Sequence, residues 1–291
     1  MNPKQVRNTH ARRFAAATIL AVSSAALLGA CGDDEGDAQS SGTTEAAETT
    51  EAAEAAETTE ADTTTEVTEG GGDNAEVCSA YAELTIGLSA EDADPAALMT
   101  QLDTLDEQAP EEIAEPLGVL IAAARQVIDS GGEDFSAFET PEFGMAQGQV
   151  DPYIYEQCEF DAKAEVAGKD YLFEGLPSEI ASGRVALLFT NEGTEAHELA
   201  LLRKKDGVTE SFEEILQLGE EESMAKVDEA GGTFVPMNGS TSLAIADLEA
   251  GEYLAVCFIP VGTTFGEGPP TEGEGPPHFV EGMQQEFTVT G

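Results

Sequence analysis

Between Gly32 and Asn74 the chain carries one large apolar residue, Val67, in a low-complexity run of Thr, Glu, Ala, Gly and Asp. With almost nothing to bury, such a run cannot offset the entropy of ordering, so it is expected to stay disordered and extended. Any fold must come from the residues C-terminal to it, and a chain of 291 residues leaves enough for one or two cores. Acidic residues number 58 against 12 Lys plus Arg, a formal charge of −46. That charge repels phosphate backbones, which excludes nucleic acid as a partner and favours basic proteins. Histidine is scarce: His10, His197 and His278 are the whole supply, and His10 lies in the basic N-terminal segment. Three-histidine zinc centres and multicopper oxidases therefore lack their ligands.

Residues 1–30 read as a secretory leader, with Lys4, Arg7, Arg12 and Arg13 ahead of an apolar stretch from Phe14 to Leu28. That stretch is short for a bilayer-spanning helix. It closes on Leu28-Gly29-Ala30-Cys31, which resembles the lipobox of bacterial lipoproteins. The resemblance implies that Cys31 is the lipidation site, a lipid anchor holding the chain at the extracytoplasmic face of the cell membrane. The alternative is an ordinary signal peptide cut near Ala30. Residues 31–76 would then be a disordered linker whose 32–74 run alone reaches on the order of 140 Å when fully stretched.

Over 77–162 the apolar spacing turns helical. Leu98, Leu102 and Leu105 recur at i, i+4 and i+7, and Ile113, Leu117, Leu120, Ile121, Ala124 and Ile128 mark one face of a longer helix. The pattern predicts helices over 77–88, 95–108, 111–129 and 151–158, a small α-helical domain. Pro110 ahead of Glu111 and Glu112 suits a helix start. Cys78 and Cys158 stand at the two ends of this segment and, in an exported chain, are natural disulfide partners. The segment shows no nucleophile motif, phosphate loop or histidine, so its role is structural or partner-binding.

Over 163–291 the pattern becomes that of short strands: 185–189, 198–202, 241–245, 253–257 and 286–289, bounded by Gly, Asn, Asp or Pro. An all-β Greek-key sandwich is expected. Ser211 and Glu214 have capping-box spacing, which predicts an inserted helix running toward Gly231-Gly232. The soft and imidazole donors of this domain occur in the order His197, Cys257, His278, Met283. Two imidazoles, a thiolate and a weak axial thioether are what a blue-copper centre requires. With Phe189 to His197, Gly251-Glu252-Tyr253 before Cys257, and His278-Phe279-Val280-Glu281-Gly282-Met283, the domain resembles the cupredoxins, plastocyanin-like members in particular. The resemblance implies one copper ion held by His197, Cys257, His278 and Met283. It departs from the family in the 20 residues between Cys257 and His278, rich in Gly, Pro and Glu. Loop-closure entropy grows slowly with length, so a flap that leaves and returns to one rim is physically allowed.

These features converge on a membrane-anchored extracytoplasmic protein that binds copper for one-electron transfer or copper handling, with a basic redox or copper-transfer protein as partner. The alternative is a metal-free cupredoxin-like lipoprotein acting as a binding or structural module. No Gly-x-Ser-x-Gly, His-Glu-x-x-His or Walker-type motif is present, and no enzymatic activity is expected.

Overall fold

The computed structural model describes residues 74–90, 93–265 and 270–291. The leader, Cys31 and nearly all of the linker lie outside the described residues. Among those described, no helix is long and apolar enough to cross a membrane.

Among the described residues four α-helices come first: α1 (Ala75–Ser89), α2 (Pro95–Gln108), α3 (Ala114–Asp129) and α4 (Pro141–Gln157). Leu98, Leu102 and Leu105 are the buried stripe of α2, and Asp94 caps its N-terminus through Ala96 N–H. Two boundaries differ from expectation. Pro110 forms a turn closed by Ile113 N–H on its carbonyl, so α3 starts at Ala114 rather than 111. The last helix begins ten residues before the expected 151, at Pro141, where the Thr140 side chain accepts from Phe143 N–H and proline occupies the first turn. Gly144, Gly148 and Pro152 disguise it in sequence, yet tertiary burial of Ala146, Val150 and Ile154 holds it. Cys78 and Cys158 are disulfide-bonded, tying α1 to the end of α4.

Nine strands come next: β1 (Ala162–Lys169), β2 (Leu172–Glu174), β3 (Glu179–Ala181), β4 (Gly183–Asn191), β5 (His197–Lys204), β6 (Val227–Val235), β7 (Thr241–Leu248), β8 (Gly251–Val256) and β9 (Gln284–Thr290). They form a four-stranded sheet in the order β2-β1-β4-β7 and a five-stranded sheet in the order β3-β9-β8-β5-β6. Two pairings, β1 with β4 and β3 with β9, are parallel; the rest are antiparallel. Between β5 and β6 lie two short helices, α5 (Phe212–Leu216), opened by the Ser211–Glu214 capping box, and α6 (Glu220–Met224). The insertion stops there. Gly231-Gly232, expected to end a helix, sits inside β6 opposite a register shift at Leu201/Leu202, with Gly231 at φ +118°.

Alternation along β4 and β7 explains how helices and sandwich combine. Val185, Leu187 and Phe189 of β4, with Ala244, Ala246 and Leu248 of β7, point into the core between the two sheets. Ala186, Leu243 and Ile245 point the other way and share a core with Leu102, Leu117, Val150 and Ile154 of the helices. Strands β4 and β7 are thus buried on both faces, which is why they read as unbroken apolar runs. Asp151 of α4, itself buried, accepts the Leu243 N–H at 2.8 Å, and β7 ends its sheet, so α4 covers a sheet edge as well as a face.

Candidate metal centre

His197 is the first residue of β5 and pairs in register with Val235 of β6. Cys257 follows the last residue of β8, and His278 opens a short 3-10 turn over His278–Glu281 just before β9. Backbone bonds fasten the second cluster. Cys257 N–H donates to Met283 O, Met283 N–H to His278 O, and Phe279 N–H to Cys257 O, each at 3.0–3.1 Å. Met283 is wholly buried, and its backbone joins Cys257 to His278.

The 20-residue excursion closes on itself. His278 N–H bonds Ile259 O at 2.8 Å and Val261 N–H bonds Pro276 O at 2.9 Å. Bridges join Pro260 to Pro277 and Thr264 to Thr271, so the described arms of the flap pair and return the chain to the rim it left.

The donor atoms of His197, Cys257 and His278 lie within 4.8 Å of one another, and all three residues are buried. The two Nδ1 atoms are 3.3 Å apart, and Cys257 Sγ is 3.4 Å from His278 Nδ1. A trigonal ion with nitrogen at about 2.0 Å and sulfur at about 2.3 Å spaces its donors roughly 3.5–3.7 Å apart, close to what is found here. Sγ also accepts the Glu198 N–H at 3.3 Å, the kind of contact that a thiolate welcomes. Burial, with Glu198 nearby, pushes the Cys257 thiol well above its ordinary range, so the thiol is protonated unless a cation takes the proton's place. Burial, then the neighbouring His278, pushes His197 down to about 4, keeping it neutral and able to coordinate.

Carboxylates surround these donors. Glu195 Oε2 lies 3.0 Å from His278 Nε2 and takes the Gly262 N–H of the flap, while Tyr171 O–H donates to Oε1 at 3.2 Å. Asp170 Oδ1 is 3.7 Å from His197 Nε2, an atom with no hydrogen-bond partner. Tyr171 alone among the described non-glycine residues has positive φ, +65°, in the β1–β2 turn that carries Asp170 and Tyr171 to the site. Buried Asn191 pins the approach to His197: its amide donates to Glu195 O at 2.7 Å and its oxygen accepts Gly193 N–H at 2.8 Å.

Three of the four donors expected from sequence are therefore brought together, with Met283 fastened to them through its backbone. The sandwich's two mixed sheets and the turns between them supply all of these donors. The donor set fits one copper ion: two buried imidazoles and a thiol, converging in a pocket that excludes water. No protein-family model matches the chain, and no curated protein does. Solved structures give likenesses to an auracyanin from Roseiflexus castenholzii (16% identity, 45% of this chain and 98% of that one, TM-score 0.29) and to rusticyanin from Thiobacillus ferrooxidans (18%, 45% and 78%, TM-score 0.29). A third, auracyanin A of Chloroflexus aurantiacus, is described as a blue copper protein (17%, 44% and 98%, TM-score 0.27). At such scores the cupredoxin reading rests on this chain's own strands and donors.

Sequence reasoning missed Glu195, Asp170, Tyr171 and Glu198. Glu195 and Glu198 flank His197 closely enough to have been weighed; among 58 acids they carried no distinguishing mark.

Proposed function

We propose that this chain would hold one copper ion through His197, Cys257 and His278, with Met283 as the fourth ligand, and pass single electrons at the extracytoplasmic face of a membrane to which Cys31 anchors it. The observation that carries the reading is the convergence of three buried donor atoms on one point, at 3.3 and 3.4 Å. Without a cation, two imidazole nitrogens and a thiol crowd one dry point with at most two hydrogen bonds among them, and His197 Nε2 is left without a partner, a costly arrangement for buried polar groups.

A copper held there would supply a one-electron couple; the chain's contribution is to fix the donors and exclude water. A rigid double-sheet scaffold resists the change of geometry between oxidation states, which favours transfer over chemistry on a substrate. Full burial of both rings and the thiol favours retention of the ion over rapid exchange, hence an electron carrier over a copper buffer. Phe258 and Val280, each close in sequence to a ligand, are exposed and give a partner an apolar landing place beside the site. The acidic surface would steer basic partners, with association weakening as salt rises.

Addition of Cu(II) to the purified protein tests this reading. Strong visible absorption that disappears in Cys257→Ser supports it. A colourless wild-type protein defeats it and leaves an anchored binding module.

A further inference from the structure

Away from the metal centre, a cavity of about 480 Å³ opens where the helices meet the sandwich. Its size is that of a small-molecule pocket. Two aromatic pairs form its walls: Phe138 with Phe143, ring centres 4.7 Å apart, and Phe234 of β6 with Phe265 of the flap, at 5.6 Å. Its polar part is one connected network. Asp151 takes the Leu243 N–H and the Tyr81 O–H, Gln147 Nε2 donates to Ser242 Oγ at 2.9 Å, and Ser242 shares a hydrogen bond with Thr233 at 2.5 Å.

The chemistry of this lining selects its occupant. The two oxygens of Asp151 are already engaged by an N–H and an O–H, with Ser242 and Gln147 alongside, so no acceptor is left over for a ligand ammonium group. A ligand anion would be brought against a buried carboxylate in a chain of net charge −46. What remains is a neutral molecule. The amide nitrogen of Gln147 is committed to Ser242 and Asp151, which leaves its carbonyl oxygen to accept a proton from an incoming hydroxyl.

We infer that this cavity is a binding site for an uncharged aromatic or long-chain molecule bearing a hydroxyl group, of the phenol or quinol class, seated between the two phenylalanine pairs with its hydroxyl on Gln147. The site is separate from the proposed copper ligands and does not depend on the metal.

The neutral fluorophore N-phenyl-1-naphthylamine, which brightens in apolar surroundings, reads the site in the full-length protein. Saturable brightening at one site per chain is expected, as is displacement by 4-hexylphenol at a concentration at least tenfold below that needed of 4-hexylbenzoate. A Cβ on Gly144, which lines the cavity, meets nothing within 4 Å, so Gly144→Phe can fold and fill it. It should weaken the probe at least tenfold while leaving the thermal midpoint within a few degrees of the parent. Gln147→Met should keep the probe and lose the advantage of 4-hexylphenol over hexylbenzene. Absence of saturable brightening, brightening indifferent to Gly144→Phe, or equal displacement by the benzoate would each overturn the inference.

Discussion

Glu195 Oε2 stands 3.0 Å from Nε2 of His278, on the side of the ring opposite the converging Nδ1. A carboxylate there fixes the tautomer and leaves Nδ1 to face the converging donors. Its negative charge also favours the more positive oxidation state of an ion beside it. Glu195→Gln keeps the shape and removes the charge. The reduction potential of the copper-loaded protein should rise by on the order of 60 mV, a tenfold change in a one-electron equilibrium. Copper affinity should fall about 10- to 100-fold. Voltammetry and competition with a chelator measure the two, and an unchanged potential would deny Glu195 this role.

Metal binding should release the Cys257 proton. Burial raises that thiol far above neutrality while His197 is already uncharged above about pH 4, so the thiol must give up its proton whenever an ion enters. Apparent affinity for Co(II), a redox-inert spectroscopic probe, should therefore climb about tenfold per pH unit between pH 6 and 8. A flat profile would place the sulfur outside the coordination sphere.

Gly193 is the close approach that lets His197 sit where it does. A Cβ at that position would overlap both His197 Nε2 and Asp170 Oδ1. Gly193→Ala should push the ring from its place and weaken metal binding by more than tenfold. Stability should change less, since the contact lies in a loop; equilibrium dialysis and urea unfolding separate the two effects.

The disulfide closes a loop with a sequence separation of 80. In the chain-entropy view its loss costs about 4 kcal/mol. The double variant Cys78→Ser/Cys158→Ser should unfold at correspondingly lower urea and keep the copper spectrum, because no ligand lies on the helices.

Burial raises Asp151 to about 6, against hydrogen bonds from Tyr81, Leu243, Ser242 and Gln147 that pull it down. A carboxyl that holds its proton more tightly when folded weakens the fold as pH rises from about 4 to about 6. Asp151→Asn removes that slope. Relative to the parent, the variant should gain about 3 kcal/mol between pH 4 and 6, superimposed on a constant offset for altered hydrogen bonds. Parallel stability curves would refute the assignment.

Much of this molecule could be read without coordinates because its donors are rare and its strands short. With two histidines in the final domain, both had to be considered, and the lone thiol stood out once Cys78 and Cys158 were matched. The strands 185–189 and 241–245 were visible, although nothing in them revealed that their two faces serve different cores. That fact depends on Ala186 and Ile245 meeting the helices, a contact no local pattern encodes. The first half of α4 was hidden by Pro141, Gly144 and Gly148, whose low helix preference is overridden by packing. The carboxylates around the site stayed anonymous for a statistical reason: in so acidic a chain, position alone distinguishes Glu195 from any other glutamate.

The two-rung stem between Pro260–Pro277 and Thr264–Thr271 separates two kinds of sequence. Below it, changes are felt by the ligands through Ile259, Val261 and Gly262. On its far side Phe265 packs on Phe234 of β6, so the same flap that seats His278 at its base also walls the cavity against the helices, and one stretch of chain serves two neighbourhoods at once.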